Sequence, residues 1–138
     1  MENKFLDKDK QIGVLLTNLG TPDSPTSKDL KKYLNEFLMD ERVVDLPRIF
    51  WVPLLKLIIL NVRPKKSAKL YKKIWTEDGS PLMSISKNIL SKTQNLMQDN
   101  HPDIHLDLGM RYGSPSISNA LKRFKDKAIS KILIIPLY

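Results

Sequence analysis

The sequence predicts an α/β fold, a parallel sheet flanked by helices, and three observations carry that prediction. Three short apolar runs have the length and composition of strands, and the first of them is predicted to be buried on both faces. The first two runs end in a glycine-containing turn, and apolar residues at helical spacing follow each turn. Strands that alternate with helices form parallel sheets through right-handed crossovers. The three runs are residues 11–19, 104–112 and 131–138.

Helices are predicted after the first two strands and between them. The first follows a stretch of N-cap candidates at residues 23–27, and a second is opened by Gly79, Ser80 and Pro81 and runs to about Gln98. A third follows the strand at 104–112. The apolar positions of the first and third helices are Leu30, Tyr33, Leu34, Phe37 and Leu38, and Ile117, Ala120, Leu121 and Phe124. Three strands make a thin sheet with an exposed edge, so we expect this chain to be part of a longer protein.

The composition is that of a globular domain with excess positive charge. A length of 138 residues, 41% apolar and 28% charged, suits one modest domain. The formal charge is +8, yet 18 of the 23 cationic residues are lysine, whereas base recognition favours the arginine fork. A nucleic-acid partner is therefore disfavoured. Because there is no cysteine in these residues, disulfides, cysteine nucleophiles and thiolate metal sites are excluded.

The first ten residues predict a polar tail and not a targeting signal. They are mixed in charge and lack both the apolar core of a signal peptide and the acid-poor pattern of a transit peptide. We therefore expect a cytoplasmic protein.

The segment at about 45–63 has two interpretations. Its residues 49–60 are apolar almost all round, and these about 12 residues are fewer than the roughly 20 that span a bilayer. The first interpretation is a core-facing helix kinked at Pro53. The second is a hydrophobic lip that enters a membrane interface or shelters an apolar ligand. The basic helix that follows, whose other side carries Leu70 and Ile74, favours the second, because anionic head groups or ligand carboxylates would be attracted to it. Its cations are Arg63, Lys65, Lys66, Lys69, Lys72 and Lys73.

Candidate binding residues lie where the first two strands end. In an open α/β sheet, ligands bind at the carboxyl ends of strands, and backbone amides at helix N-termini attract anions. Arg111 ends the second strand, where we expect a buried guanidinium that needs an anionic partner. Glycine motifs for dinucleotides or nucleotide phosphates are absent. His101 and His105 flank Pro102 and predict a surface turn and a strand start, not a metal site.

Five motifs in order resemble the N-terminal half of ferrochelatase. They are residues 13–22, 37–40 with 42–45, 79–82, 109–115 and 136–138, and the likeness runs from about Gln11 to the last residue. The resemblance implies residues 11–138 as the N-terminal α/β domain, with the lip at about 45–63, of a Rossmann-like fold that has two domains with a porphyrin cleft between them. The C-terminal domain is then absent from this chain.

The resemblance implies an enzyme that inserts ferrous iron into protoporphyrin IX, the last step of haem synthesis. By position, the porphyrin-contacting residues are Leu19, Arg63, Tyr71, Ser80, Arg111 and Tyr112. Leu19 matches a position that is apolar in protoporphyrin users and tyrosine in the coproporphyrin branch. The implied partners are protoporphyrin, iron and, through the lip, the surface of the inner membrane.

The same resemblance assigns the catalytic histidine and glutamate to positions beyond residue 138, so neither His101 nor His105 is expected to be catalytic. It implies no resident cofactor or metal ligand in this chain, since iron is a substrate. The alternative is a truncated, inactive remnant that binds porphyrin or membrane.

Overall fold

A computed structural model describes residues 11–138, so the predicted polar tail lies outside the described residues. The described chain is an α/β structure with helices flanking a parallel sheet, as predicted. A short π-helical segment, Leu55–Ile59, interrupts the helical stretch between residues 48 and 74. The elements are β1 Ile12–Gly20, α1 Ser27–Met39, α2 Arg48–Leu54, α3 Leu60–Ile74, α4 Pro81–Gln98, β2 Ile104–Tyr112, α5 Ile117–Asp126 and β3 Lys131–Pro136.

The described residues divide into two compact units. The first unit contains residues 11–19, 85–111 and 115–138, and the second contains residues 20–84 and 112–114. The first therefore holds nearly all of the sheet, α5 and most of α4, and the second holds α1, α2, the π segment and α3.

The sheet of the first unit has the strand order β2-β1-β3. β1 and β3 are parallel, in a register that runs from Ile12 opposite Lys131 to Thr17 opposite Pro136. β1 is buried from residue 13 to residue 17, which confirms the prediction of a strand covered on both faces. Leu15 packs with Ala120 and Phe124 of α5 and with Ile129, and this cluster is the core of the unit.

Two apolar surfaces of the first unit are exposed. β3 is an edge strand whose residues are all exposed, including Leu133 at 55% and Ile134 at 53%, in agreement with the predicted edge. α4 has its predicted span, but Ile85 and Leu96 are exposed. The apolar positions of this helix thus remain largely uncovered, and its fully buried residue is Ser86.

The helices of the second unit pack around a small core. Leu38 of α1, Leu55 of the π segment and Leu60 of α3 are buried together. Trp51 packs against them, and its Nε1 donates a hydrogen bond of 2.8 Å to the carbonyl oxygen of Leu38. α1 begins at an N-cap, Thr26, whose hydroxyl accepts from the amide of Asp29 at 3.3 Å.

The first interpretation of the segment at 45–63, a core-facing helix kinked at Pro53, is only partly confirmed, because Leu55 and Leu60 are buried in the core whereas other apolar residues of the segment are exposed. Pro53 lies inside α2, and the helical path changes after it, at the π segment. Ile49 and Phe50 are 76% and 74% exposed, and Leu57 is 72% exposed. The physical reason is that the core of this unit accepts only the few side chains that reach α1, and the remaining apolar residues stay in contact with solvent.

The predicted apolar side of α3 also differs from the observed one. Leu70 and Ile74 are 63% and 55% exposed, so they do not form a buried face. The buried residues of this helix are Leu60, Pro64 and Ala68. Their spacing of four residues places them on one face, and that face continues the core contacts that begin at Leu60.

Candidate functional site

Leu19 and Arg111 lie side by side at the carboxyl ends of adjacent strands in the first unit. The amide of Ile12 donates to the carbonyl oxygen of Asp103 at 3.0 Å, which places Ile12 opposite Ile104 in a parallel ladder. Leu19 is seven residues after Ile12, and Arg111 is seven residues after Ile104, so Leu19 lies opposite Arg111. The axes of the two strands are roughly 5 Å apart. Both side chains are exposed. An apolar and a cationic side chain therefore neighbour each other at the edge where α/β sheets bind ligands.

The expectation that Arg111 is buried is wrong. Its side chain is exposed although it follows the buried residues Leu108 and Met110 on the same strand. Because this side chain is exposed, the guanidinium avoids the desolvation that a buried charge would suffer.

In the second unit, two glycines bring the segments that follow β1 and β2 close together. Gly20 has a φ of +115° and packs against the carbonyl oxygen of Tyr112, where a Cβ atom would lie 1.8 Å away. The amide of Gly113 donates to the carboxylate of Glu36 at 3.0 Å. This amide of the turn after β2 is therefore engaged by a carboxylate of the same unit.

Tyr112 belongs to an aromatic stack and is itself buried. Its ring meets Phe37 edge-on at 5.1 Å, and Phe37 stacks on Tyr33 at 6.0 Å. The hydroxyl of Tyr112 donates to the carboxylate of Asp40 at 2.9 Å. Glu36 and Asp40 were not predicted as partners of this region, because these contacts join residues more than seventy positions apart in the sequence.

Tyr33 gives the second unit an alkaline stability limit. Burial, with smaller contributions from Tyr71 and Tyr112, raises the pKa of Tyr33 from 10.0 to about 12, and its protonated hydroxyl donates to the carbonyl oxygen of Gly20 at 3.2 Å. Since the folded-state pKa is the higher one, this stabilisation is complete below pH 10 and is lost as the pH rises to about 12. We expect the stability of wild type to fall across that interval more than that of Tyr33→Phe, as measured by urea unfolding at each pH. Parallel pH profiles would contradict the assignment.

Three further candidates lie in the second unit. Arg63 is exposed and Tyr71 is half-buried on α3, roughly 12 Å apart along the helix axis. Burial raises the pKa of Tyr71 above its usual value, so its phenol stays a hydrogen-bond donor at neutral pH. Ser80 is buried, and its Oγ accepts from the amide of Met83 at 3.2 Å, while its own proton remains able to donate.

The structure thus distributes the predicted residues between the units. Leu19 and Arg111 lie together in the first, and Arg63, Tyr71, Ser80 and Tyr112 lie in the second. His101 is exposed in the turn before β2 and His105 is near the start of that strand, as predicted. Within residues 11–138, no group of three or more His, Cys, Asp or Glu side chains is arranged to hold a metal ion.

Comparison with known proteins decides the family. A sequence model of the ferrochelatase family matches residues 11–138, which is the whole of the described range. The chain belongs to the ferrochelatase family.

Curated ferrochelatases from several bacteria are similar to this chain over nearly all of its length. The ferrochelatase of Haemophilus influenzae strain Rd is 48% identical over 133 residues, which are 96% of this chain and 41% of that protein. That of Thioalkalivibrio sulfidiphilus is 49% identical over 128 residues, 92% of this chain and 35% of its own length. That of Alcanivorax borkumensis is 47% identical, with 94% and 38% covered. This ferrochelatase-family chain spans about two fifths of the relatives it matches.

Proposed function

We propose that this chain supplies porphyrin-binding residues to a ferrochelatase that inserts ferrous iron into protoporphyrin IX. The observation that carries the proposal is the exposed pair Leu19 and Arg111 at adjacent strand ends of a ferrochelatase-family chain. Protoporphyrin is a flat apolar disc with two carboxylates, so a complementary site needs apolar surface and a few cationic or hydroxyl donors. Leu19 offers an apolar surface, and Arg111 offers a cationic donor.

Each candidate residue has a role that suits its surroundings. Arg111 and Arg63, both exposed, pair with propionate carboxylates, and Tyr71 and Ser80 donate hydroxyl protons. Leu19 lies against the macrocycle, and its apolar character favours protoporphyrin over coproporphyrin. Tyr112 acts differently, because its hydroxyl is already donated to Asp40. It has a structural role in the second unit, where its ring packs against Phe37.

Metal insertion requires removal of two pyrrole protons by a base above the ring. His105 is six residues from Arg111 on β2, roughly 20 Å along an extended strand, and His101 precedes that strand. Neither histidine can reach a porphyrin held by Arg111. The proposal therefore assigns binding and orientation to residues 11–138 and assigns the proton transfers to residues outside them.

The test is a fluorescence titration of the 138-residue chain with protoporphyrin, followed by an anaerobic assay with ferrous iron. We expect saturable binding without metal insertion. Coproporphyrin is the matched control ligand, and its affinity should be lower. Absence of porphyrin binding would overturn the proposal in favour of an inactive remnant, and turnover by this chain alone would overturn the assignment of the base to other residues.

We also propose that the protein associates peripherally with the cytoplasmic face of the inner membrane. Support comes from the apolar lip, defined here as the exposed apolar side chains of residues 49–62, and from the charge around it. Residues 46–76 contain eight Lys and Arg and no Asp or Glu. No helix among residues 11–138 is long and apolar enough to cross a membrane. The apolar lip would enter the membrane interface. The members of the apolar lip are Ile49, Phe50, Leu54, Leu57, Ile58 and Val62.

Replacing Ile49, Phe50 and Leu57 together with glutamine should reduce vesicle binding by more than tenfold, since each burial of a large apolar side chain contributes roughly 1.5–3 kcal/mol. Substitution is preferable to deletion because Leu55 and Leu60 in the same segment are buried core residues. The measurement is co-sedimentation with zwitterionic vesicles. Ile85 and Leu96, exposed on α4, provide the matched control when replaced with glutamine. Equal losses in both variants would contradict a role specific to the apolar lip.

A further inference from the structure

A groove lined by lysines lies between α1 and the π segment in the second unit. Its volume is about 500 Å³. Four of the lining residues are on α1 at spacings of three, four and seven, which places them on one face of the helix. We call it the lysine groove, and it is lined by Lys28, Lys31, Lys32, Asn35, Lys56 and Leu60.

The positive charge of the lysine groove is only partly compensated. Lys32 Nζ pairs with Asp23 at 2.9 Å, and Lys31 Nζ donates to the neutral amide oxygen of Asn61 at 3.1 Å. Within the described range, Lys28, Lys31 and Lys56 have no carboxylate partner. Lys28 lies in the first turn of α1, where the helix dipole is positive. These features favour a ligand with at least one negative charge, such as a phosphate.

The lysine groove continues into the apolar lip. Lys56 and Leu60 line the groove, and the residues between and beside them include Leu57, Ile58 and Val62, which are exposed at 72%, 57% and 52%. Asn61, which holds Lys31, also donates to the carbonyl oxygen of Leu57 at 2.8 Å. One short segment therefore joins a cationic groove to an apolar surface, and this is the chemistry of a phospholipid at its head group and its acyl chains.

We propose that the lysine groove binds the phosphate-bearing head group of an anionic membrane lipid, with the acyl chains beside the apolar lip. The inference rests on the membrane association proposed above and adds to it a selectivity for anionic lipid. A lysine near an anionic membrane surface contributes roughly 1 kcal/mol, which is about fivefold in partitioning. The lysine groove should thus raise binding to anionic vesicles well above binding to zwitterionic ones.

The experiment compares vesicles of phosphatidylcholine alone with vesicles that also contain phosphatidylglycerol, using the full 138-residue chain. For Lys28→Gln with Lys56→Gln, we expect a loss of about 10- to 25-fold in binding to the anionic vesicles and unchanged binding to phosphatidylcholine. Lys122→Gln with Lys125→Gln on α5 is the matched control, since it removes the same charge from exposed positions in the other unit. Lys28→Arg with Lys56→Arg should restore binding, and circular dichroism should be the same for all variants.

Three outcomes would overturn the assignment of the lysine groove. Equal losses in the α5 control would mean a general effect of net charge, and an unchanged double variant would mean that the groove takes no part. A third outcome would identify the groove as a site for free phosphate. In that case inorganic phosphate would lower binding to the anionic vesicles to the level seen with phosphatidylcholine alone, and it would bind the groove equally well without vesicles. Failure of wild type to bind any vesicle would instead refute the membrane association itself, so the two failures are distinguishable.

Discussion

Replacing Arg111 with alanine is expected to weaken protoporphyrin binding by about tenfold or more, because a hydrogen bond to a charged group is worth roughly 1.5–3 kcal/mol. The side chain is exposed at the end of β2, so its loss leaves the core cluster around Leu15 and Phe124 intact. The measurement is quenching of protoporphyrin fluorescence by wild type and variant, with circular dichroism recorded on the same samples.

Lys122→Ala is the matched control for Arg111→Ala. It removes one positive charge from an exposed position on α5, in the same unit as Arg111. Its affinity for protoporphyrin should stay within twofold of wild type. An Arg111→Ala variant with wild-type affinity would remove Arg111 from the proposed site, and a variant that loses its far-ultraviolet spectrum would assign the residue a structural role instead.

Replacing Gly20 with alanine is expected to have the largest effect on stability. Gly20 has a φ of +115°, a conformation that costs an alanine roughly 1–2 kcal/mol. A Cβ atom there would also lie 1.8 Å from the carbonyl oxygen of Tyr112, and this neighbour is backbone that cannot rotate away. Tyr112 is held in turn by Phe37 and Asp40. We therefore expect a loss of more than about 4 kcal/mol, which few single substitutions reach.

Gly79→Ala separates the cost of the positive φ from the cost of the clash with a neighbouring backbone atom. Gly79 also has a positive φ, +101°, but no atom lies within 4 Å of the Cβ position. Its replacement should cost only the conformational strain of roughly 1–2 kcal/mol. Both variants are measured by urea unfolding followed by circular dichroism and tyrosine fluorescence. Equal losses at the two positions would contradict the close approach of Gly20 to Tyr112.

The elements that sequence analysis predicted well are those with strong local signals. The strand at Ile104–Tyr112 and the helix at Pro81–Gln98 have their predicted bounds, because glycine, proline and serine mark their ends. The position of Arg111 at a strand end was also evident. The exposure of the Arg111 side chain was not evident from the sequence. How much of a strand the helices cover depends on packing and not on the residues of that strand.

The least predictable feature was which apolar residues would be covered. Ile49, Phe50, Leu70 and Ile74 have the same hydrophobicity as residues of the core, yet they are exposed. Burial requires a partner surface, and in the second unit α1 offers it only to side chains in line with Leu55 and Leu60. Likewise, the lysine groove combines α1 with a segment more than twenty residues further along the chain, and a cluster of that kind has no pattern in sequence.

The sequence by itself determined the α/β class, the strand-to-helix order and the membership of the ferrochelatase family, because these depend on local periodicity, turn residues and motifs in order. The tertiary structure alone decided that Leu19 and Arg111 are neighbours, that Tyr112 is engaged by Asp40, and that a cationic groove adjoins an apolar lip. These features arise from pairing between distant segments, where competition for a limited core area sets which side chains meet and which remain exposed.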